Sequence, residues 1–351
     1  MEVHHLVFRP DSLTYTIAKA LSYGGHDVTV CIVDPEYRNR HPTYAQERLP
    51  RIPRLQLESA WAPKSSTNID RLIVQVFPRP LDTLRSAGNL AAHARHVSLV
   101  TIGDRNQAWH AAMKWQWAEW RSLSAWARKI DRILYKDGFF ALDFHCLRRS
   151  RHAVGFDVHS QFLDDAELFA AIHLNDWRPA SARDILVNFL GSQDPEVRRR
   201  ILDSIRPLMW GMGSVDGCAR PGKSLYWHEY SDDAPAALKP MDFLGILSRS
   251  DFTLCPRGYS LVTHRPIEAL LRGSVPVLSE TELDLYGVPL EHGKNCIAVR
   301  AEDWRRTVAE LSDIEEGKIV EMRRNIHAML GTYLDYGVLS KRIRSRLGVE
   351  S

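Results

Sequence analysis

The stretch from Ser250 to Leu278 constrains the fold of this chain more than any other. It opens with an apolar run, Phe252 to Cys255, which turn residues end directly, so we expect a buried parallel strand. A loop and an amphipathic segment follow, and the segment stops at Gly273, as helices often do. A second apolar run, Val275 to Leu278, predicts another strand. The stretch therefore predicts a βαβ unit of an open α/β sheet.

The loop of this unit, from Arg257 to Arg265, is suited to binding a diphosphate. In an open α/β sheet, ligands bind beyond the carboxyl ends of the strands, where this loop would lie. A helix that starts near Thr263 would direct its free N–H groups and partial positive charge to this place, beside His264 and the two arginines. Glu268, one turn later, is placed to accept hydrogen bonds from a ribose. An ordinary surface pair between Arg265 and Glu268 explains the same two residues.

The same stretch resembles the signature of the exostosin family of glycosyltransferases. In that family a strand ending in C-P-R-G leads to a helix carrying R-x-x-E-A-L and then to G-x-x-P-V. The matching residues here are Cys255, Pro256, Arg257, Gly258, Arg265, Glu268, Ala269, Leu270, Gly273, Pro276 and Val277. The resemblance implies an inverting, nucleotide-sugar-dependent transferase with the GT-B fold, an α/β architecture in which two Rossmann-like domains face each other across a donor and acceptor cleft.

The length of the chain agrees with two domains. Its 351 residues correspond to about two domains on the usual expectation of ~100–200 residues each. We predict an N-terminal Rossmann-like acceptor-binding domain over residues 1–180 and a C-terminal Rossmann-like nucleotide-sugar-binding domain over residues 181–335. A C-terminal helix within residues 336–351 is expected to pack back on the first domain, as in GT-B proteins.

The beginning of the chain predicts a second βαβ unit. A strand over Val3 to Phe8, a helix capped by Ser12 and a strand over Asp27 to Val33 follow one another. The unit lacks G-x-G-x-x-G, which disfavours a dinucleotide site of the Rossmann type. The next residues, Pro35 to Ser66, show no clear period, so we predict a long loop region there.

A further candidate for donor binding lies at the start of the second domain. The apolar run Ile185 to Leu190 predicts a strand, and the loop Gly191 and Ser192 leads to a helix over Pro195 to Ile205. This order resembles the exostosin pattern of a strand, a glycine loop and a helix bearing an arginine. Gly191 and Ser192 would then bring backbone N–H groups near the donor phosphates. A loop that only caps the helix explains the two residues equally well.

Glu282 is a donor-site candidate by resemblance alone. Exostosin relatives carry an acidic residue before L-P, in a loop beside the donor, and the T-E-L of Thr281 to Leu283 matches it. This chain lacks the proline, and Asp284 follows instead.

Three residues of the first domain are candidates for the catalytic base. Asp104 follows the apolar run His96 to Ile102, so it would lie at the carboxyl edge of a sheet, where catalytic groups collect. Exostosin relatives often have a His-Asp pair there, and Gly103 replaces the histidine. Asp157 and His159, in a segment similar to the family's K-D-V strand, are the other two candidates. A base must take the proton from the acceptor hydroxyl, and Asp104 is the first choice. Asp143 and His145 are also possible, so the sequence leaves the base open.

The net charge and the absence of metal-ligand motifs indicate which ligands and partners to expect. The net charge is +3, from 46 basic and 43 acidic residues, so we expect no nucleic-acid partner. No D-x-D between strands marks a metal-bridged diphosphate, and GT-B enzymes generally stabilise the leaving phosphate with basic side chains and a helix dipole. We therefore predict no cofactor and no required metal, with a UDP-sugar as donor substrate.

Cysteine usage and hydropathy bear on location. The five cysteines are widely separated and mostly set in apolar runs, which is typical of buried thiols in a reducing compartment. No signal peptide and no run of roughly 18 apolar residues occurs, so we predict a cytoplasmic protein without a transmembrane segment. Peripheral attachment to a membrane stays open.

Two functions from different classes fit the sequence. The first is an inverting glycosyltransferase that moves a sugar from a nucleoside-diphosphate sugar, with UDP expected, to a hydroxyl of a glycan, polysaccharide or glycoconjugate. The alternative is a non-catalytic exostosin-like protein that binds nucleotide sugars or glycans, or supports a partner transferase. The arginines and Glu268 favour the transferase, because a scaffold has no need for a buried charged cluster.

Overall fold

The chain divides into two compact units, each with its own parallel sheet. The computed structural model describes residues 2–7, 12–32, 43–58, 68–76, 90–101, 130–135, 151–153, 182–212, 222–230, 238, 240–258, 263–333 and 336–349. The first unit comprises Met1–Ser160 and Asp335–Ser351, and the second comprises Gln161–Leu334. The bounds of the two predicted domains, at residues 180 and 335, stay a prediction.

The first unit contains a seven-stranded sheet in which neighbouring strands are parallel. The strand order is β3-β2-β1-β4-β5-β6-β7. The strands are β1 (Glu2–Val7), β2 (Asp27–Ile32), β3 (Leu55–Glu58), β4 (Ile69–Val76), β5 (Ala94–Thr101), β6 (Ile130–Tyr135) and β7 (Arg151–Ala153). Central strands of such a sheet are covered on both faces, which explains their continuous apolar runs. Val3 and Ile73, on neighbouring strands, are fully buried for this reason.

Two helices of the first unit pack on each other. Helix α1 (Ser12–Tyr23) follows β1, and its last turn is ended by Gly25, whose φ is +83°. Helix α7 (Tyr336–Leu347) is the last helix of the chain. The hydroxyl of Ser340 in α7 donates to the carbonyl of Ala20 in α1 at 2.8 Å. The end of the chain is therefore part of the core of the first unit.

The second unit contains a five-stranded parallel sheet in the order β12-β11-β10-β8-β9. The strands are β8 (Ile185–Ser192), β9 (Ser224–Tyr230), β10 (Ser250–Leu254), β11 (Val275–Ser279) and β12 (Ile297–Val299). The helices are α2 (Glu196–Met212), α3 (Pro240–Arg249), α4 (His264–Leu271), α5 (Trp304–Glu310) and α6 (Glu316–Tyr333). Strands β10 and β11 pair from Phe252 to Leu254 and from Val275 to Val277, with α4 between them in sequence. This is the βαβ unit that the sequence predicts.

Buried ion pairs hold the amino edge of the second sheet, the side where its strands begin. Asp251 is bound by the guanidinium of Arg323 and by the ammonium of Lys223, the latter at 2.9 Å. Arg183 donates to the carbonyls of Ser250 at 2.6 Å and Arg272 at 2.9 Å. A buried charge costs free energy unless it is paired and hydrogen-bonded. Asp251, Arg323 and Lys223 are paired in this way, and the guanidinium of Arg183 is hydrogen-bonded to carbonyl groups.

Two details of the sequence analysis are wrong. The segment 35–66 is not all loop, since it contains strand β3 and helical turns over Thr43–Arg48 and Leu49–Arg51. Strand β3 is a short edge strand with half-exposed residues, so its apolar signal is weak. Gly191 and Ser192 are not in a loop either, because they are the last two residues of β8 and pair with Glu229 and Tyr230.

Candidate functional site

The carboxyl edge of the second sheet gathers the residues predicted to bind a donor. Because all five strands are parallel, β8, β10 and β11 end on this side. Gly191 and Ser192 end β8, the turn Arg257–Gly258 follows β10, and Glu282 follows β11. Helix α4 begins at the same edge. The structure therefore brings the predicted donor-site residues of three strands and one helix into one place.

Arg198, in the first turn of α2, links two of these strand ends. Its Nε donates to the carbonyls of Pro256 and Arg257, each at 3.2 Å. Its Nη1 donates to the carbonyls of Ser192 at 3.1 Å and Asp194 at 3.0 Å. One guanidinium thus fixes the separation between the end of β8 and the turn after β10.

Arg198 is not among the site residues predicted from the sequence, although its position carries a signal. Arg198 shares one helical face with Leu202, Ile205 and Met209, all of which are buried. A basic residue on the apolar face of an amphipathic helix needs polar partners inside the protein. That position would have identified Arg198 as a buried charge.

Two glycines leave room for two arginines at this edge. A Cβ on Gly258 would lie 2.5 Å from Nη2 of Arg198, and a Cβ on Gly191 would overlap Nη2 of Arg265. Gly191 also has φ +150°, a conformation that other residues rarely adopt. Both glycines thus leave space in which the guanidinium groups lie against the backbone.

Arg265, in the first turn of α4, is held without a carboxylate partner. Its guanidinium carbon lies 5.2 Å from the ring centre of Phe189. Its buried Nε has no hydrogen-bond partner, and no ion pair to Arg265 occurs among the described residues. The surface pair with Glu268 therefore does not form, and Glu268 is itself buried.

Arg198 and Arg265 bring two positive charges close together at this edge, and neither has a paired carboxylate among the described residues. Burial, and then the nearby charge of Arg265, lowers the pKa of Arg198 to about 10. Burial and the neighbouring Glu302 raise the pKa of Glu282 to about 8, although Arg257 and Arg198 oppose that rise. Near pH 7 the carboxyl of Glu282 is thus mostly protonated and does not neutralise the arginines. An anionic ligand would supply the missing counter-charge.

Glu282 is buried more deeply than a loop residue beside a ligand. Its side chain is 1% exposed, in a 3₁₀ helix over Glu280–Leu285, and neither carboxyl oxygen has a hydrogen-bond partner among the described residues. The helical turn Arg300–Glu302 lies beside the start of this 3₁₀ helix, since the hydroxyl of Ser279, which precedes the helix, donates to Glu302 at 2.5 Å. The sequence could not reveal this burial, because Glu282 stands in a polar stretch.

The residues at the start of α4 and at the end of β8 differ in the hydrogen bonds that they make. Thr263 precedes α4 with an extended backbone and makes no side-chain cap, while its N–H donates to the hydroxyl of Tyr286 at 3.2 Å. His264 begins the helix and is half-buried. The hydroxyl of Ser192 accepts from the N–H of Asp194 at 3.0 Å, just before α2. This bond closes a turn before α2 and caps no N–H of the helix, so it does not decide between the two roles that the sequence left open for Ser192. The first turn of α4 has no side-chain cap.

The candidates for the catalytic base, Asp104, Asp157 and His159, lie outside the described residues. Their roles stay predictions. Among the residues that the structure does describe, no group of three or more potential ligands could hold a metal ion. Within the same ranges, no helix is both long enough and apolar enough to cross a membrane.

Comparison with known proteins identifies the fold. No protein-family model matches the chain, and no curated protein is significantly similar to it in sequence. Sucrose-phosphate synthase from Thermosynechococcus elongatus is similar in structure, with a TM-score of 0.60, 10% identity and 98% of each chain covered. Lower TM-scores are found for CalG4, the calicheamicin glycosyltransferase (0.48, 11% identity, 99% and 98% covered), and for Arabidopsis thaliana UGT89C1 complexed with UDP-L-rhamnose (0.42, 10% identity, 99% and 98% covered). The chain has the α/β GT-B fold, as predicted.

Proposed function

We propose that this chain is an inverting glycosyltransferase that transfers a sugar from a UDP-sugar to a hydroxyl of a glycan, polysaccharide or glycoconjugate. One observation carries the proposal. The guanidinium groups of Arg198 and Arg265 are neighbours at the carboxyl edge of the second sheet, and no carboxylate pairs with either among the described residues. Positive charges without a paired carboxylate at the ligand-binding edge of a parallel sheet suit a diphosphate.

Transfer requires that the leaving diphosphate be stabilised. Negative charge develops on its oxygens as the bond to the anomeric carbon breaks, and donors already in position stabilise that charge. Arg257, Arg265 and the N-terminus of α4, around Thr263 and His264, would supply the donors. Glu268 would accept hydrogen bonds from the ribose. This arrangement requires no metal ion.

The acceptor hydroxyl must lose its proton to a base of the first unit. Asp104 is the first candidate, and Asp157 and His159 are the others. In an inverting reaction the base assists direct attack on the anomeric carbon, so that the bond to the acceptor oxygen forms as the bond to the diphosphate breaks. The proton passes to the base, and the nucleoside diphosphate leaves with the electron pair.

Ligand binding and turnover test the proposal separately. Thermal unfolding is measured with UDP, with GDP and with neither, since a ligand of the folded state raises the melting temperature. Release of UDP is then followed with a panel of UDP-sugars and glycan acceptors. Stabilisation by UDP together with sugar transfer is expected. Stabilisation without any transfer would favour the non-catalytic sugar-nucleotide-binding protein, and stabilisation by neither nucleotide would overturn the donor site.

A further inference from the structure

The guanidinium group of Arg265 packs on an aromatic ring. Its guanidinium lies over Phe189, and the ring of Phe189 lies 4.9 Å from that of Trp227, tilted by 44°. Phe189 and Trp227 are register partners on the adjacent strands β8 and β9. The side chain of Arg265 thus crosses the end of β8, over Gly191, and lies on the first ring of a tilted aromatic pair.

The orientation of Trp227, the second ring, is fixed by the ion pair between Arg206 and Glu229. The indole N–H of Trp227 donates to Glu229 at 3.1 Å. Arg206 of α2 lies 5.8 Å from the centre of the Trp227 ring and donates to both oxygens of Glu229 at 2.8 Å. These contacts hold the indole in one orientation and thereby hold Phe189 beneath Arg265. We call the four side chains Phe189, Trp227, Glu229 and Arg206 the aromatic support.

An aromatic partner differs from a carboxylate partner in its effect on Arg265. A carboxylate would take two of the five N–H donors and neutralise the charge, so that a ligand would have to compete with it. An aromatic face attracts the cation without accepting its in-plane N–H groups. The terminal N–H groups of Arg265 and its full charge therefore stay available to an anion.

We propose that Phe189 and Trp227 are positioning residues that hold Arg265 ready to bind an anionic phosphate ligand. The inference deepens the proposed donor site, because the aromatic support explains how one of its cations is kept in place without being neutralised. It does not depend on the identity of the nucleotide or on sugar transfer. Inorganic pyrophosphate is therefore the probe, with UDP measured alongside it.

The test is a double-mutant cycle between Phe189 and Arg265. Phe189→Leu removes the ring but keeps apolar volume, and Arg265→Met removes the charge. Calorimetry is expected to show about 5-fold weaker pyrophosphate binding for Phe189→Leu, which is the size of a partly desolvated cation–π contact. The same change in the Arg265→Met background is expected to have no effect, and Phe189→Tyr is expected to restore affinity. A merely structural role would give equal losses in both backgrounds.

Two further variants keep the test decisive. Phe252→Leu removes an equally buried ring on β10, so it controls for lost stability and is expected to bind like the wild type. Trp227→Leu changes a half-buried residue of an edge strand, and it replaces Phe189→Leu if that variant fails to fold. Wild-type affinity in the folded support variant would overturn the inference. Pyrophosphate binding that responds as predicted while UDP-sugar turnover is absent would support it and count only against the proposed transferase.

Discussion

The two edges of the second sheet treat buried charge in opposite ways. At the amino edge, Asp251 lies between Arg323 and Lys223, so these three charges are paired. At the carboxyl edge, Arg198 and Arg265 are neighbours, and Glu282 is too protonated near pH 7 to compensate them. Paired charges preserve a fold, whereas charges left without a counter-ion destabilise the free protein and favour a ligand. The difference separates the structural edge of this sheet from the candidate binding edge.

The largest expected effect is on stability at the amino edge. Asp251→Asn removes the carboxylate that binds both Arg323 and Lys223, and breaking a buried pair of this kind costs about 3–5 kcal/mol. We expect a large fall in the melting temperature, measured by calorimetry or circular dichroism. Asp184→Asn, which removes an exposed partner of Arg249, is the control and is expected to change little. Equal melting temperatures for both variants would show that the buried ion pairs of the amino edge do not stabilise the fold.

Function is expected to respond most at the carboxyl edge. Arg265→Ala removes a charge that stabilises the leaving group, and loss of one such donor typically costs about 100-fold in turnover. Its effect on stability is expected to stay within about 1 kcal/mol, since no ion pair is lost. Turnover and melting temperature are measured side by side, with Arg249→Ala as the charge-matched control. A large fall in melting temperature with normal turnover would assign Arg265 to the structural edge.

The pH dependence of stability should reveal the raised pKa of Glu282. Its pKa is raised to about 8 in the folded state from a usual value of 4.5, so the folded state binds more protons than the unfolded state between these values. Its contribution to stability is therefore present below pH 4.5 and is lost as the pH rises towards 8. Glu282→Gln should remove the loss, and the variant should gain about 2 kcal/mol relative to the wild type between pH 5 and pH 7. Parallel stability curves would show that Glu282 is ionised in the folded protein.

The smallest expected effect concerns the ribose. Glu268→Gln keeps the shape of the side chain but weakens hydrogen bonds from hydroxyl groups, so UDP should bind about 10-fold less tightly, while pyrophosphate binding is unchanged. Calorimetry with both ligands measures the difference. Glu321→Gln, an exposed carboxylate on α6, is the control. Equal losses for UDP and pyrophosphate would exclude Glu268 from the ribose role.

Local sequence was enough to predict the elements that carry the site. The expected strands Phe252–Cys255 and Val275–Leu278 are β10 (Ser250–Leu254) and β11 (Val275–Ser279), within two residues at each end. Buried parallel strands bounded by turn residues leave a strong apolar signal. Strand β3 (Leu55–Glu58) is not predicted because it has only four residues, so its alternation of leucine with polar residues is too short to stand out from a loop.

The contacts within the site could not be predicted in this way. Gly191 lies against Arg265, and Arg198 bonds to the carbonyls around Pro256, across more than fifty residues of chain. These contacts depend on the order of strands in the sheet, which no local pattern encodes. The sequence therefore predicted most of the residues at the carboxyl edge but not that two of its glycines are there to admit guanidinium groups.

The return of helix α7 to α1 makes the second unit an insertion into the first. During synthesis the ribosome completes all of the second unit before it makes the helix that finishes the first. Domains generally fold as units while the chain is being made. We therefore expect the sheet with the arginine-rich edge to mature earlier, while the amino-terminal sheet keeps one helical position open until α7 emerges.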